Sequence, residues 1–311
     1  MTNINVALLG DNEFAEELGK KGTTSDFTFY NYKKGDITIT FMVPTAYPDK
    51  LQSLTHVLAL ADTAIVVIKK LDRDLGEYIL ALDLLGIKGG LIIFDEYVEK
   101  EKFIKMVMGT VLETFIIVDK KPPEIYSRLE KMMEKMTVKQ PLVEHVIVDS
   151  AFNVKSVGTV VLGVSRGNFS VHDELRILPN DKRTSIRSIQ VHDVDVKSAH
   201  PGERVGFALR GIPVDDVERG SILARIETEG LYNDDSISGK WKQSQYFTEK
   251  IENGTRLFIA AGLQYRPAVV TNIEGDKITL KVDKKIGYVK GSRFLILTPE
   301  RKMRIAGVIE L

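Results

Sequence analysis

From about Val143 onward the helical spacing of apolar residues stops, and nothing later in the chain restores it. Before that point short apolar runs alternate with amphipathic stretches. The runs are Ile4–Leu9, Phe27–Tyr32, Ile37–Val43, Ala64–Ile68, Leu91–Phe94 and Phe115–Val118. Between several of them, apolar residues recur three and four apart, over 72–86, 97–112 and 124–136. The later runs are apolar throughout, as strands of a parallel sheet covered on both faces must be. This pattern predicts an α/β domain with crossover helices over residues 1–140.

After Val143, short alternating segments are separated by Gly167-Asn168, Pro179-Asn180-Asp181, His200-Pro201-Gly202 and Gly211-Ile212-Pro213. That is the spacing of a small β-barrel, expected over 141–228. A second all-β stretch turns at Asn253-Gly254, Glu274-Gly275-Asp276 and Lys290-Gly291-Ser292, and a second barrel is expected over 229–311. Between them the polar run Glu227–Gly239 reads as a linker. The expected fold is α/β: one α/β domain followed by two β-barrels.

With 311 residues and no cysteine, disulfides, thiolate metal sites and cysteine nucleophiles are excluded. No run of about 18 apolar residues is present and the N-terminus lacks a signal-peptide pattern, so a cytoplasmic protein with no membrane association is expected. The formal net charge is zero, but the first 140 residues are acidic overall and the last third is basic, where a phosphate-bearing partner would be met. The five histidines are scattered without metal-ligand spacing.

The stretch after the first strand, Gly10-Asp11-Asn12-Glu13-Phe14-Ala15-Glu16-Glu17, starts like a phosphate-binding loop. Counted from Gly10, the pattern G-x-x-x-x-G-K-[ST] requires Gly, Lys and Ser/Thr at positions 15 to 17. Ala15, Glu16 and Glu17 stand there, and two carboxylates in place of a cation repel phosphate.

The middle of the chain carries a resemblance. Phe152, Val154, Gly158, Thr159, Val160 and Gly163 fit the family's F-x-I-x-G-x-G-T-V-x-x-G, with Ser156 in place of its first glycine. Ala199, Gly202, Val205, Gly206, Leu209, Arg210 and Gly211 follow in order, then Asp216-Val217-Glu218-Arg219-Gly220. This segment resembles the second domain of the translational GTPases, the family of elongation factor Tu and the selenocysteine-specific elongation factor. Gly291–Leu297 with Arg304-Ile305-Ala306-Gly307 resembles the end of that family's third domain.

The resemblance implies a degenerate P-loop GTPase-like domain. Thr24 matches the switch threonine that contacts magnesium, but without a phosphate loop it reads better as a β-branched residue entering the strand Phe27–Tyr32. Met42, Thr45 and Ala46 fall where the family has the magnesium-linked Asp, the glycine whose N–H meets the γ-phosphate and the histidine that positions water. Asp95 to Val98 replaces the guanine-reading N-K-x-D, with Val98 at its Asp, and Asp119-Lys120-Lys121 replaces Ser-Ala-Lys. No cofactor is therefore expected: neither GTP binding with magnesium nor GTP hydrolysis. The family's barrels hold tRNA, so tRNA or ribosomal RNA is the expected partner, met by Phe152, Val154, Arg183, Arg187, His192, Lys284, Lys285 and Arg304. Two alternatives stay open: a GTP-binding elongation factor with a divergent site, and a regulatory scaffold that binds protein through the α/β domain.

Overall fold

The computed structural model describes residues 3–135 and 143–311, and element counts refer to these residues. The expected helix end at Met136 and the expected boundary at 140/141 lie outside the described residues.

The first sheet has the order β2-β3-β4-β1-β5-β6-β7. Its strands are β1 (Asn3–Leu9), β2 (Lys20–Thr24), β3 (Thr28–Lys34), β4 (Ile37–Val43), β5 (Thr63–Ile68), β6 (Gly90–Phe94) and β7 (Ile116–Ile117). β1 lies between β4 and β5 and is parallel to both, and β5, β6 and β7 continue the parallel set. β1 is buried along its whole length, which is why Ile4 and Val6 to Leu9 are apolar; the buried Asn5 between them donates through Nδ2 to Asp62 at 3.0 Å. The helices are α1 (Ala15–Leu18), α2 (Leu51–Leu60), α3 (Arg73–Leu85), α4 (Lys100–Val107) and α5 (Pro122–Lys135). Asp72 caps α3, its side chain accepting the Leu75 N–H at 3.0 Å, and Gly86 ends it at φ +70°, the left-handed stop glycine supplies.

The helix expected over 97–112 is shorter. α4 stops at Val107, Gly109 takes φ +77°, and Val111–Thr114 forms a 3₁₀ turn. Ile104 and Met108, expected on the buried face, are 51% and 66% exposed.

The first barrel is built from β8 (Val146–Val154), β9 (Gly158–Ser165), β11 (Glu174–Leu178), β12 (Lys182–Val191), β15 (Arg204–Leu209) and β16 (Ile222–Arg225). It runs β11-β16-β8-β9-β15-β12 and closes through β11–β12. β13 (Val194–Val196) pairs with β12, and β10 (Phe169–Ser170) pairs with β14 (Ser198–Ala199). Phe169, Ile177, Ile189 and Phe207 are in its core. Ser156, in the family's glycine position, has φ +69°, the left-handed turn for which glycine is the ordinary choice.

The second barrel closes in the order β17-β20-β19-β18-β21-β22. Its strands are β17 (Leu231–Gln243), β18 (Arg256–Ala261), β19 (Gln264–Glu274), β20 (Lys277–Val289), β21 (Arg293–Leu297) and β22 (Ile305–Glu310). The polar run Glu227–Gly239 is therefore not a linker. From Leu231 it is a barrel strand, paired with β20 from Leu231↔Val289 onward. It looks polar because Ile237 is its one fully buried side chain between Leu231 and Gln243.

Contact density divides the chain into two units. One holds the first sheet and its helices with Gln243–Phe247 and Thr298–Val308; the other holds the remaining described residues.

Candidate functional site

At the end of β1 the chain turns on Gly10, at φ +89°. A Cβ there would sit 2.0 Å from the Val67 carbonyl oxygen, so only glycine fits. A long helix does not follow. Phe14, Ala15 and Leu18 pack into the core, and α1 ends after one turn, its Leu18 carbonyl accepting the Tyr126 hydroxyl at 3.0 Å. β2 then pairs with β3 as an added edge strand that the sequence pattern did not suggest. Glu16 and Glu17 point to solvent.

Asp11, beside Gly10, is 4% exposed. Its two carboxylate oxygens meet Lys69 Nζ at 3.0 Å and Lys120 Nζ at 2.6 Å. Burial works against its charge, but the two lysine hydrogen bonds outweigh that and hold the carboxyl below the usual carboxylate range.

Thr24 is exposed and accepts the Thr28 hydroxyl at 3.4 Å, so it serves the β2–β3 edge. Met42 is fully buried in the core. Thr45 donates through Oγ1 to the Asp26 carbonyl at 3.2 Å, and the Ala46 N–H donates to the same oxygen at 2.9 Å. Asp95 accepts the Glu96 N–H at 2.8 Å within its own turn, and Val98 is half-buried. Among the described residues no cluster of three His, Cys, Asp or Glu could hold a metal ion. These residues do not fit a bound guanine nucleotide with magnesium: the loop presents a paired carboxylate, and the magnesium position presents a buried thioether.

Arg304, which the resemblance places among the RNA contacts, is instead 8% exposed and forks onto Glu77, with Nε to Oε1 at 2.8 Å and Nη2 to Oε2 at 2.5 Å. Nη1 donates to the Pro48 carbonyl at 2.7 Å, and the Tyr47 hydroxyl donates to Glu77 at 2.8 Å. Burial, then the Glu77 carboxylate, push the Tyr47 phenol far above its ordinary value. The stretch Pro44–Pro48, which follows β4, is thus tied to α3 and to Arg304.

The other RNA candidates fall in two groups. Phe152 and Val154 lie at the end of β8, with Phe152 42% exposed and opposite Val160. Arg187, exposed on β12, donates to the Val157 carbonyl at 3.0 Å and so reaches the same β8–β9 hairpin. His192 is half-buried in the turn after β12, at φ +51°.

The second group joins the barrels. Arg183 and Lys285 both act on Asp181, whose carboxyl is lowered first by its Arg176 hydrogen bond and further by those two cations. Lys284 and Lys285 line a cleft of about 460 Å³ with Pro179, Asn180, Asp215 and Glu218. Glu218 pairs with Arg266 at 2.9 Å, while Arg183, Lys284 and Lys285 remain exposed. Asp11, Lys69 and Glu77 were missed by sequence reasoning. The double lysine directly after an apolar strand was the available signal for Lys69; nothing marked Glu77 among the acids of α3.

An α/β sheet of this order followed by two closed barrels is the architecture of elongation factor Tu-like proteins. The family model for elongation factor Tu domain 2 matches residues 158–224. An uncharacterized protein of Methanocaldococcus jannaschii is 36% identical over the full length of both chains. The selenocysteine-specific elongation factor of the same organism is 26% identical over 95% of this chain and 72% of that protein. Translation elongation factor SelB from Methanococcus maripaludis, solved with the GTP analogue GppNHp, superposes with a TM-score of 0.80 at 24% identity, covering 100% of this chain and 79% of that one. The chain belongs to the translational GTPase family, in the class of elongation factor Tu and the selenocysteine-specific elongation factor.

Proposed function

We propose that this elongation factor Tu-like protein is a cytoplasmic translation-factor paralogue that has lost GTP binding and hydrolysis and binds tRNA or ribosomal RNA through its barrels. The observation that carries the reading is a contrast in where charge is free. At the phosphate loop the lysines are spent on Asp11, whereas on the barrels Lys284 and Lys285 line a cleft, Arg183 and Lys285 both act on Asp181, and all three cations stay exposed. Phosphate-backbone contacts of that kind are salt-sensitive and independent of a nucleotide.

Filter binding with bulk tRNA at low salt tests it. Replacing Arg183, Lys284 and Lys285 together by Glu lowers affinity by at least about tenfold and reduces the salt slope by about 3, one for each lost contact. Unchanged affinity in a folded triple variant removes the barrel seam as the RNA surface. Micromolar binding of a fluorescent GTP analogue, with turnover, would instead establish the divergent-GTPase alternative.

A second reading is favoured by the apolar residues left exposed on the α/β domain: Tyr97 at 93%, Met108 at 66%, Ile117 at 53% and Ile104 at 51%. They suit a protein-binding face. Capture of one protein and no RNA from a native lysate would move the assignment to that role.

A further inference from the structure

We propose that Asp11 is a built-in anion that fills a phosphate-class anion site made by Lys69 and Lys120, so that the α/β domain supplies from its own chain the charge a bound phosphate would bring. The inference rests on the reading that no nucleotide is held; it does not depend on RNA binding.

The topology places the three residues together. Gly10 and Asp11 follow β1, Lys69 directly follows β5, and Lys120 comes soon after β7. Because these strands are parallel, all three lie beyond the same, carboxyl edge of the sheet. That edge is where open α/β sheets bind ligands. The lysines approach separate oxygens of the one carboxylate, at 3.0 and 2.6 Å, much as two cations grip a phosphate. Lys120 is further fixed over the Phe14 ring, 4.9 Å from its centroid.

The neighbouring charges are already paired. Lys70 is bound to Asp72 and Lys121 to Asp119, each at 2.8 Å, so Lys69 and Lys120 are the two turned onto the loop. The two lysines are 46% and 42% exposed, whereas Asp11 is 4% exposed. Ion pairs between exposed side chains contribute little. A carboxylate this buried needs its cations, and it holds two positive charges close together that would otherwise repel. An incoming phosphate must displace a tethered competitor whose effective concentration is on the order of millimolar or above.

The probe is inorganic pyrophosphate, titrated calorimetrically into the full chain at low salt. The wild type is expected to take up none at millimolar concentration. Asp11→Asn keeps the side-chain shape, frees both lysines, and binds at least about tenfold more tightly than wild type. Adding Lys69→Met and Lys120→Met to that variant abolishes the gain. A folded Asp11→Asn protein with no gain, or a wild type that binds equally well, overturns the proposal.

Should Asp11→Asn not fold, lysine acylation of the wild type read by mass spectrometry decides. Lys69 and Lys120 are expected to react at the same rate with and without pyrophosphate, and protection by pyrophosphate overturns the proposal. GTP binding by the wild type would defeat the reading beneath the inference. A missing gain in the variant, with wild type inert to GTP, defeats the inference alone.

Discussion

Replacing Glu77 by Ala lowers unfolding stability by about 3–5 kcal/mol, the range for breaking a buried ion pair from one side. Its side chain is 2% exposed, accepts from both Nε and Nη2 of Arg304 and from the Tyr47 hydroxyl, and forms an ion pair with Arg73 Nε at 3.3 Å one helical turn away. Without the carboxylate, a buried guanidinium and a buried phenol lose their acceptor together. Glu77→Gln keeps an acceptor and the shape, and is expected to cost less. Urea midpoints with hydrogen exchange over 44–50 measure this, and a loss below about 1 kcal/mol would mean the network is not structural. In GTPases the segment that senses the γ-phosphate must order and release. Here the stretch around Pro48 is hydrogen-bonded to an ion pair that involves no phosphate.

Acidification from pH 6.5 to 4 costs the fold about 3 kcal/mol through His145 alone. Burial lowers its pKa to about 4, the nearby Arg166 charge acts in the same direction, and the Val143 carbonyl, 2.8 Å from Nδ1, partly opposes them. The unfolded chain takes its proton near pH 6.5, before the folded chain can. The contribution is therefore complete above that pH, declines as pH falls, and levels off below about 4. His145→Asn retains an N–H for the Val143 carbonyl and removes the titration. Urea midpoints at pH 7, 5.5 and 4.5 should converge for this variant and not for wild type; parallel curves would contradict the assignment. Asp11 acts in a separate window. Its lowered pKa gives stability that is present above the ordinary carboxylate range and lost below it.

The inner strands of the sheet and both barrels were legible because burial leaves largely apolar runs, and turns fall where Gly, Pro, Asn and Asp cluster; the edge strand β2, exposed along its length, left no such run. Glu227–Gly239 was misread because a strand with one fully buried side chain has a linker's composition. The end of α4 was missed because Ile104 and Met108 keep helical spacing while facing solvent. At the site, the absence of Lys and Ser/Thr after Gly10 was readable directly, since a motif is local. What replaced them was not. Asp11 finds Lys120 across a separation of 109 residues, and Glu77 finds Arg304 across 227. Arg304, which closely follows Arg301 and Lys302, therefore looks like any other surface cation until the fold buries it.

RNA binding by the barrels without a nucleotide switch is tested by the affinity of the wild-type chain for bulk tRNA across a salt series, with and without GTP and magnesium. Salt-dependent binding that GTP leaves unchanged within about twofold is expected. Binding that tightens tenfold or more with GTP, or no binding at low salt, would contradict it.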